Sequence, residues 1–272
     1  MFAGSPLFGF LGHAWGVHYG SVGQTAIAIV ALAVLTLLGM FVSGVRQRAD
    51  YAGAVVRSLI QLALVALVIA WVFQHPAGTA LYLGVMLLAA TATSVRRIGC
   101  GRRSYLRVLI PIAVATGLAV TPVVASGALP LEAQSLLPFT AQVIGGAMTA
   151  ASLSGTRFRE DARDQWDSVE GYLALGATSR QAVSWLGRRA VERSLIPSLD
   201  QTRSAGLVVL PGAFVGMLLG GASPAQAAQI QVLVLVALLA AATWSAIGTV
   251  WMLAPGLGAV RPGDDRVSGS PG

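Results

Sequence analysis

Asp200 and Arg203 stand three residues apart, a spacing that puts an acid and a base on one side of a helix. Two kinds of ionic chemistry are open to them. Arg203 can snorkel to a membrane interface with Asp200 as its counter-ion, or the carboxylate can meet a cation at the inner mouth of a pathway. Leu210, Pro211 and Gly212 follow, and proline's missing donor beside a flexible glycine predicts a kink. Gly212, Gly216 and Gly220 then recur every fourth residue, which lets another helix approach closely, within this chain or from a second copy. Met148 and Met217 carry thioethers that suit soft metals, although methionine in an apolar span is mostly filler. Arg57 and Gln61, one turn apart, form a candidate polar pair that either anchors packing or faces a path. His13, His18 and His75 are candidate contacts for a released metal, and as surface loop residues they need no such role.

No set of residues here is catalytic. The chain holds no Walker phosphate-binding string, no His-Glu-x-x-His and no nucleophile elbow, so any use of ATP needs a partner. An intramembrane enzyme would need paired acids, histidines or serines at membrane depth, and no such set is seen. The single cysteine, Cys100, excludes an internal disulfide framework or a multi-thiolate metal site.

The elements that must position these residues follow from composition. The 272 residues are 55% hydrophobic and 11% charged, against roughly 25% charged in soluble domains. The chain is therefore expected to be an all-α integral membrane protein. All eighteen basic residues are arginine, and the formal net charge is +7. They fall between long uncharged runs rather than in one patch, so they read as topology signals and not as a nucleic-acid surface.

A helix needs about 20 mostly apolar residues to cross the hydrocarbon core, and seven such runs are expected. They are 21–42, 54–73, 79–95, 108–131, 137–156, 196–220 and 227–253, the sixth opening on Pro197 at a first helical position. Arg46, Arg48, Arg96, Arg97, Arg102, Arg103 and Arg107 lie on one side of the bilayer, with the loop 157–194 and the tail. The opposite loops hold only Glu132. This places the N-terminus outside and the C-terminus in the cytoplasm. The organisation expected is an extracytoplasmic segment 1–20, helices 1–5 in 21–156, a cytoplasmic loop 157–194, helices 6–7 in 195–254, and a disordered tail 255–272 rich in Gly, Pro and Ser. Residues 1–20 contain no basic stretch of the kind that opens a secretory signal.

Within the loop, 164–175 and 179–193 have helical character and Leu175-Gly-Ala-Thr interrupts them. Gly176 suits a left-handed C-terminal cap, and Thr178 or Ser179 an N-cap. The result is a helix-turn-helix whose Val169, Leu173, Leu175, Val183, Trp185 and Leu186 could bury against a partner or the bilayer surface. A plain connector whose arginines touch anionic lipid is the simpler alternative.

The string from Glu170 through Leu173, Leu175, Gly176, Ala177, Thr178 and Gln181 to Val183, with Leu195-Ile-Pro downstream, resembles the coupling loop of ABC importer permeases. Taken with Arg57-Ser-Leu-Ile-Gln-Leu, Gly145-Gly-Ala-Met and Leu195-Ile-Pro-Ser-Leu-Asp-Gln-Thr-Arg-Ser-Ala-Gly, the chain more closely resembles the FetB-type iron-export permease family, to which plant aluminium-tolerance permeases are related. The likeness covers about 46–253. Where that family usually has Gly-Asn-Ala-Met, this chain has Gly145-Gly146-Ala147-Met148 and lacks the amide. The resemblance implies a permease subunit of the prokaryotic plasma (inner) membrane, homodimeric, without a cofactor of its own, whose ABC ATP-binding partner holds ATP and magnesium. It implies export of iron, another metal or a chelate. The spans offer few hard oxygen ligands to a bare ferric or aluminium ion, so an organic solute or lipid-linked cargo stays open, as does a passive channel or scaffold. The candidate path or gate residues are then Asp200, Arg203, Pro211, Gly212, Gly216, Met148 and Gln61, with the metal ligands unknown.

Overall fold

The computed structural model describes residues 21–44 and 48–259, and every regular element among them is helical. The calls on 1–20, on His13 and His18, and on most of the tail lie outside the described residues. The chain divides into two units, Met1–Trp71 and Val72–Gly272. In the first, α1 (Val22–Val42) starts on Ser21, which closes a capping box with Gln24. There too lies all but the last turn of α2 (Arg48–Gln74). Arg57 and Gln61 fall on one face of α2 and are exposed, with no hydrogen bond joining them.

The second unit holds α3 (Pro76–Ile98), a short 3-10 turn at Arg102–Ser104, α4 (Tyr105–Ala125), α5 (Ala133–Asp164), α6 (Trp166–Ala174), α7 (Ser179–Ala182), α8 (Ser184–Ser204), α9 (Gly212–Leu219) and α10 (Pro224–Leu257). α5 and α10 form its spine. They meet through Ala147, Ala150 and Ala151 on one side and Ala241, Ala242 and Ala246 on the other, all buried, and such small residues let helix backbones come close where lipid supplies no hydrophobic drive. Gly146 belongs to this seam, since a β-carbon there would sit 2.9 Å from Leu238 Cδ2. α3 and α4 pack on α5, α4 also on α10, and α8 lies across both α5 and α10.

Six helices among the described residues, α1 to α5 and α10, are long and apolar enough to cross a membrane. The sixth expected span needs correction. Instead of one helix over 196–220 opening at Pro197, α8 begins at Ser184 and carries Pro197 in its interior, and the chain leaves helical geometry until Gly212. Helix bounds cross both ends of the expected loop: α5 continues past Thr156 to Asp164, and α8 is one helix from Ser184 to Ser204. At 1.5 Å per residue α5 and α10 are about 48 and 51 Å long, against about 30 Å of hydrocarbon, so both project beyond it. The tail likewise begins later than expected, because α10 incorporates Pro255.

The far end of α10 is keyed to α7. A β-carbon at Gly258 would overlap the Ser179 carbonyl, a backbone atom that cannot swing aside as a side chain can. Gly258→Ala is therefore expected to cost about 1–3 kcal/mol, the usual range for overpacking. A thermal melt of the purified protein would register it as a lowered Tm, and an unchanged Tm would show that α7 is loosely held.

Candidate functional site

The interruption between α8 and α9 is built by two residues. Gly206 takes φ +87°, open to glycine at little cost, and its N–H donates to the Val209 carbonyl at 2.9 Å. Pro211 then stands at the N-cap of α9 in extended geometry with no donor to offer. The N–H of Phe214 in the first turn of α9 is satisfied from outside the segment: it donates to Gln231 Oε1 on α10 at 3.1 Å, and Gln231 is buried. Ala205, Gly206, Leu210, Pro211, Phe214 and Gln231 are among the residues that line a cavity of about 260 Å³ at this joint. The kink expected at Leu210-Pro211-Gly212 is thus a full break. Gly212 and Gly216 have nothing within 4 Å of a notional β-carbon, and Gly220 meets only carbonyls of its own helix. The close packing expected from their spacing is not made among the described residues.

Asp200 and Arg203 lie on the last turns of α8 and do pair, at 3.8 Å between Oδ1 and Nη1, with side chains 64% and 75% exposed. Arg203 also complements the negative end of the helix dipole. Met148 is on α5, half-buried, away in sequence from both. Its carbonyl accepts from the Ser152 and Ser94 hydroxyls at 2.7 and 3.2 Å, and those two hydroxyls are 3.0 Å apart. On the adjacent turn Ser245 of α10 donates to the Ala147 carbonyl at 2.8 Å. This buried polar clamp joins α3, α5 and α10. Sequence reading missed it, together with Gln231, although polar side chains inside apolar spans are the signal that could have found them. Among the described residues no three His, Cys, Asp or Glu side chains gather to hold a metal.

The loop helices are held by their apolar faces. Val169, Val183 and Leu186 are fully buried in the protein's own core, not free for a partner or bilayer as their pattern allowed. Leu173 and Ala177 pack partly against the same core. At the turn, Gly176 has φ +89° and its N–H donates to the Leu173 carbonyl, while the Ala177 N–H reaches Tyr172 at 3.0 Å. Thr178 and Gln181 close a capping box that starts α7. What remains outward is Leu175, 86% exposed, with Tyr172 and Glu170 beside it.

Several arginines read as topology signals have structural work as well. Arg159 donates to the Ile98 and Gly99 carbonyls at the end of α3, Arg157 donates to the Arg193 carbonyl, and Arg193 pairs with Asp161 at 3.6 Å. Together they tie α3, α5 and α8 at the end where α5 leaves the apolar zone.

Residues 23–257 match the family described as "Uncharacterised protein family (UPF0014)". The "Protein ALUMINUM SENSITIVE 3" of Arabidopsis thaliana is 32% identical over 85% of this chain and 84% of its own length. The "UPF0014 membrane protein YjkA" of Bacillus subtilis is 28% identical over 80% of this chain and 88% of its own. The "Probable iron export permease protein FetB" of Escherichia coli is 28% identical over 73% and 77%. No solved structure matches the chain. With six apolar helices among its described residues, this chain is a multi-pass membrane protein that belongs to the UPF0014 family, among relatives that include a bacterial protein named as a probable permease.

Proposed function

We propose that the chain is the membrane-spanning subunit of an ABC exporter, paired as a homodimer with two copies of a separate subunit that binds and hydrolyses MgATP. The observation that carries this reading is the turn after α6, where Leu175 is held outward, with Tyr172 beside it, on a hairpin anchored in the core by Val169, Val183 and Leu186. An apolar side chain presented from a rigid support is what a docking contact needs. Glu170, Leu173, Leu175, Gly176, Ala177, Thr178 and Gln181 form the coupling surface of a cytoplasmic helix-turn-helix. Closure of the ATPase pair pushes on this turn. α8, continuous from Ser184 to Ser204, carries the movement to the break at 205–211. There alternating access is generated by rocking about a discontinuous helix. Asp200, Arg203, Pro211, Gly212 and Gly216 line the path on this segment, with Met148 on α5 as a further contact.

The relationship to a protein named as a probable iron export permease supports iron or another metal as the cargo class. Asp200 is the only acidic residue between Glu192 and Asp264, too few carboxylates for a bare hard cation, which favours a chelate. The test is ATPase activity of the reconstituted pair with free ferrous ion, ferric citrate and citrate alone. Stimulation by ferric citrate above the other two is expected. Binding of the ATPase without stimulation by any of them would remove the metal cargo, and no binding would remove the transporter reading.

The orientation proposed, N-terminus outside and C-terminus in the cytoplasm of a prokaryotic inner membrane, is checked in a Cys100→Ser background. Ala128→Cys and Ser168→Cys both alter exposed positions. An impermeant thiol reagent applied to intact cells should label the first and spare the second, and the reverse pattern would invert the topology.

A further inference from the structure

We infer that the groove between α8 and the end of α10 is a binding site for one anionic phospholipid. It is a cavity of about 570 Å³. Val191, Ile247 and Val250 supply apolar wall, and Arg180, Arg188 and Trp251 lie along the same groove. The Arg180 guanidinium stacks over the Trp251 ring at 4.1 Å from its centroid, which fixes the cation in place while leaving its N–H edge open to an acceptor. Arg188 is exposed, and neither Arg180 nor Arg188 forms an ion pair among the described residues. Glu192, one turn beyond Arg188, shares the groove and leaves its net charge positive.

Depth in the bilayer fits the same ligand. With Pro224 at the outer headgroup level, Trp251, about 40 Å further along α10 at 1.5 Å per residue, falls at the inner headgroup level of a bilayer about 40–45 Å thick overall. Tryptophan at that level is the usual interfacial anchor. Ile247 lies about 6 Å nearer the membrane centre along the same helix, so the apolar wall faces acyl chains while the two guanidiniums meet the phosphate. The floor is shaped by Gly187, where a β-carbon would strike Val250 Cγ1; any larger residue would force the two helices apart and open the slot. The inference needs only that the chain is embedded in a membrane, and it stands or falls apart from the transport reading.

The experiment is native mass spectrometry of the full chain in detergent with equimolar phosphatidylglycerol and phosphatidylcholine. The wild type should retain phosphatidylglycerol in preference, by about fivefold per arginine and about twenty-five-fold for both. Arg180→Gln with Arg188→Gln should abolish the preference with elution volume and Tm unchanged, and Glu192→Gln should raise it. Equal retention of the two lipids, retention of neither, or a preference that survives the double substitution would overturn the site. So would a double variant that keeps its lipid preference and loses the ATPase, since the groove would then belong to a protein partner.

Discussion

Gly176→Val is expected to abolish co-purification of the proposed ATP-binding subunit while the protein remains inserted in the membrane. Gly176 sits at φ +89° with nothing within 4 Å of a notional β-carbon, so the substitution acts through backbone conformation and not through a clash. A β-branched residue in the left-handed region costs about 1–3 kcal/mol, and the turn can shed that strain by unwinding from the core. Leu175 would then lose its fixed position, and the Thr178 capping box that starts α7 would lose its register. Gly176→Asn tests the cause, because asparagine visits the left-handed region at modest cost and should retain most of the partner. Leu175→Ala removes the exposed side chain and leaves the turn alone; it should weaken association with no change in Tm. Full partner recovery with Gly176→Val would place the docking surface elsewhere.

The same turn shows what was legible in the sequence. Gly176, Thr178 and Gln181 act through neighbours within a few residues, so their capping roles could be read directly from local order. Apolar runs gave five of the spans and the last one for a similar reason, since length and lack of charge alone decide whether a helix can cross lipid. Direction of burial could not be read this way. Val169 and Leu175 look alike in a pattern, but one is fully buried and the other 86% exposed, a difference set by where α5 and α7 happen to pass.

The break in the sixth span was misread for a related cause. Pro111, Pro122, Pro138 and Pro197 all lie inside helices that continue past them, so Pro211 by itself does not predict an interruption. Two further contributions make one. Gly206 supplies a left-handed residue five positions earlier, and Gln231, seventeen residues beyond Phe214, supplies the acceptor that an exposed helix start requires. The second is a tertiary contact, absent from any local window. Gly146 is a parallel case. Read alone it is a missing amide, whereas its surroundings make it the point where α5 and the Leu238 side chain of α10 meet.

Asp200→Asn is expected to reduce metal transport at least tenfold while leaving basal ATPase turnover nearly intact. The geometry separates this from loss of a structural ion pair. The carboxylate is 64% exposed and lies 3.8 Å from Arg203, and an exposed pair of this kind contributes about 0–1 kcal/mol. Removing it should leave Tm where it was. The coupling turn lies on the far side of α8 in sequence, so docking and basal hydrolysis do not depend on this side chain. The charge-reversed pair, Asp200→Arg with Arg203→Asp, makes the distinction sharper. If the two residues only balance one another, reversal preserves their attraction and much of the transport returns. If Asp200 meets a passing cation, whether bare or at the edge of a chelate, reversal puts a guanidinium in its place and transport stays lost. The second result is the expected one, because Asp200 stands one turn before the end of α8 at Ser204 and is the only acid in the sequence between Glu192 and Asp264. Uptake into inside-out vesicles containing the reconstituted pair measures it directly. Wild-type uptake by Asp200→Asn would end the case for a cation contact and leave Asp200 as the counter-ion of Arg203 alone.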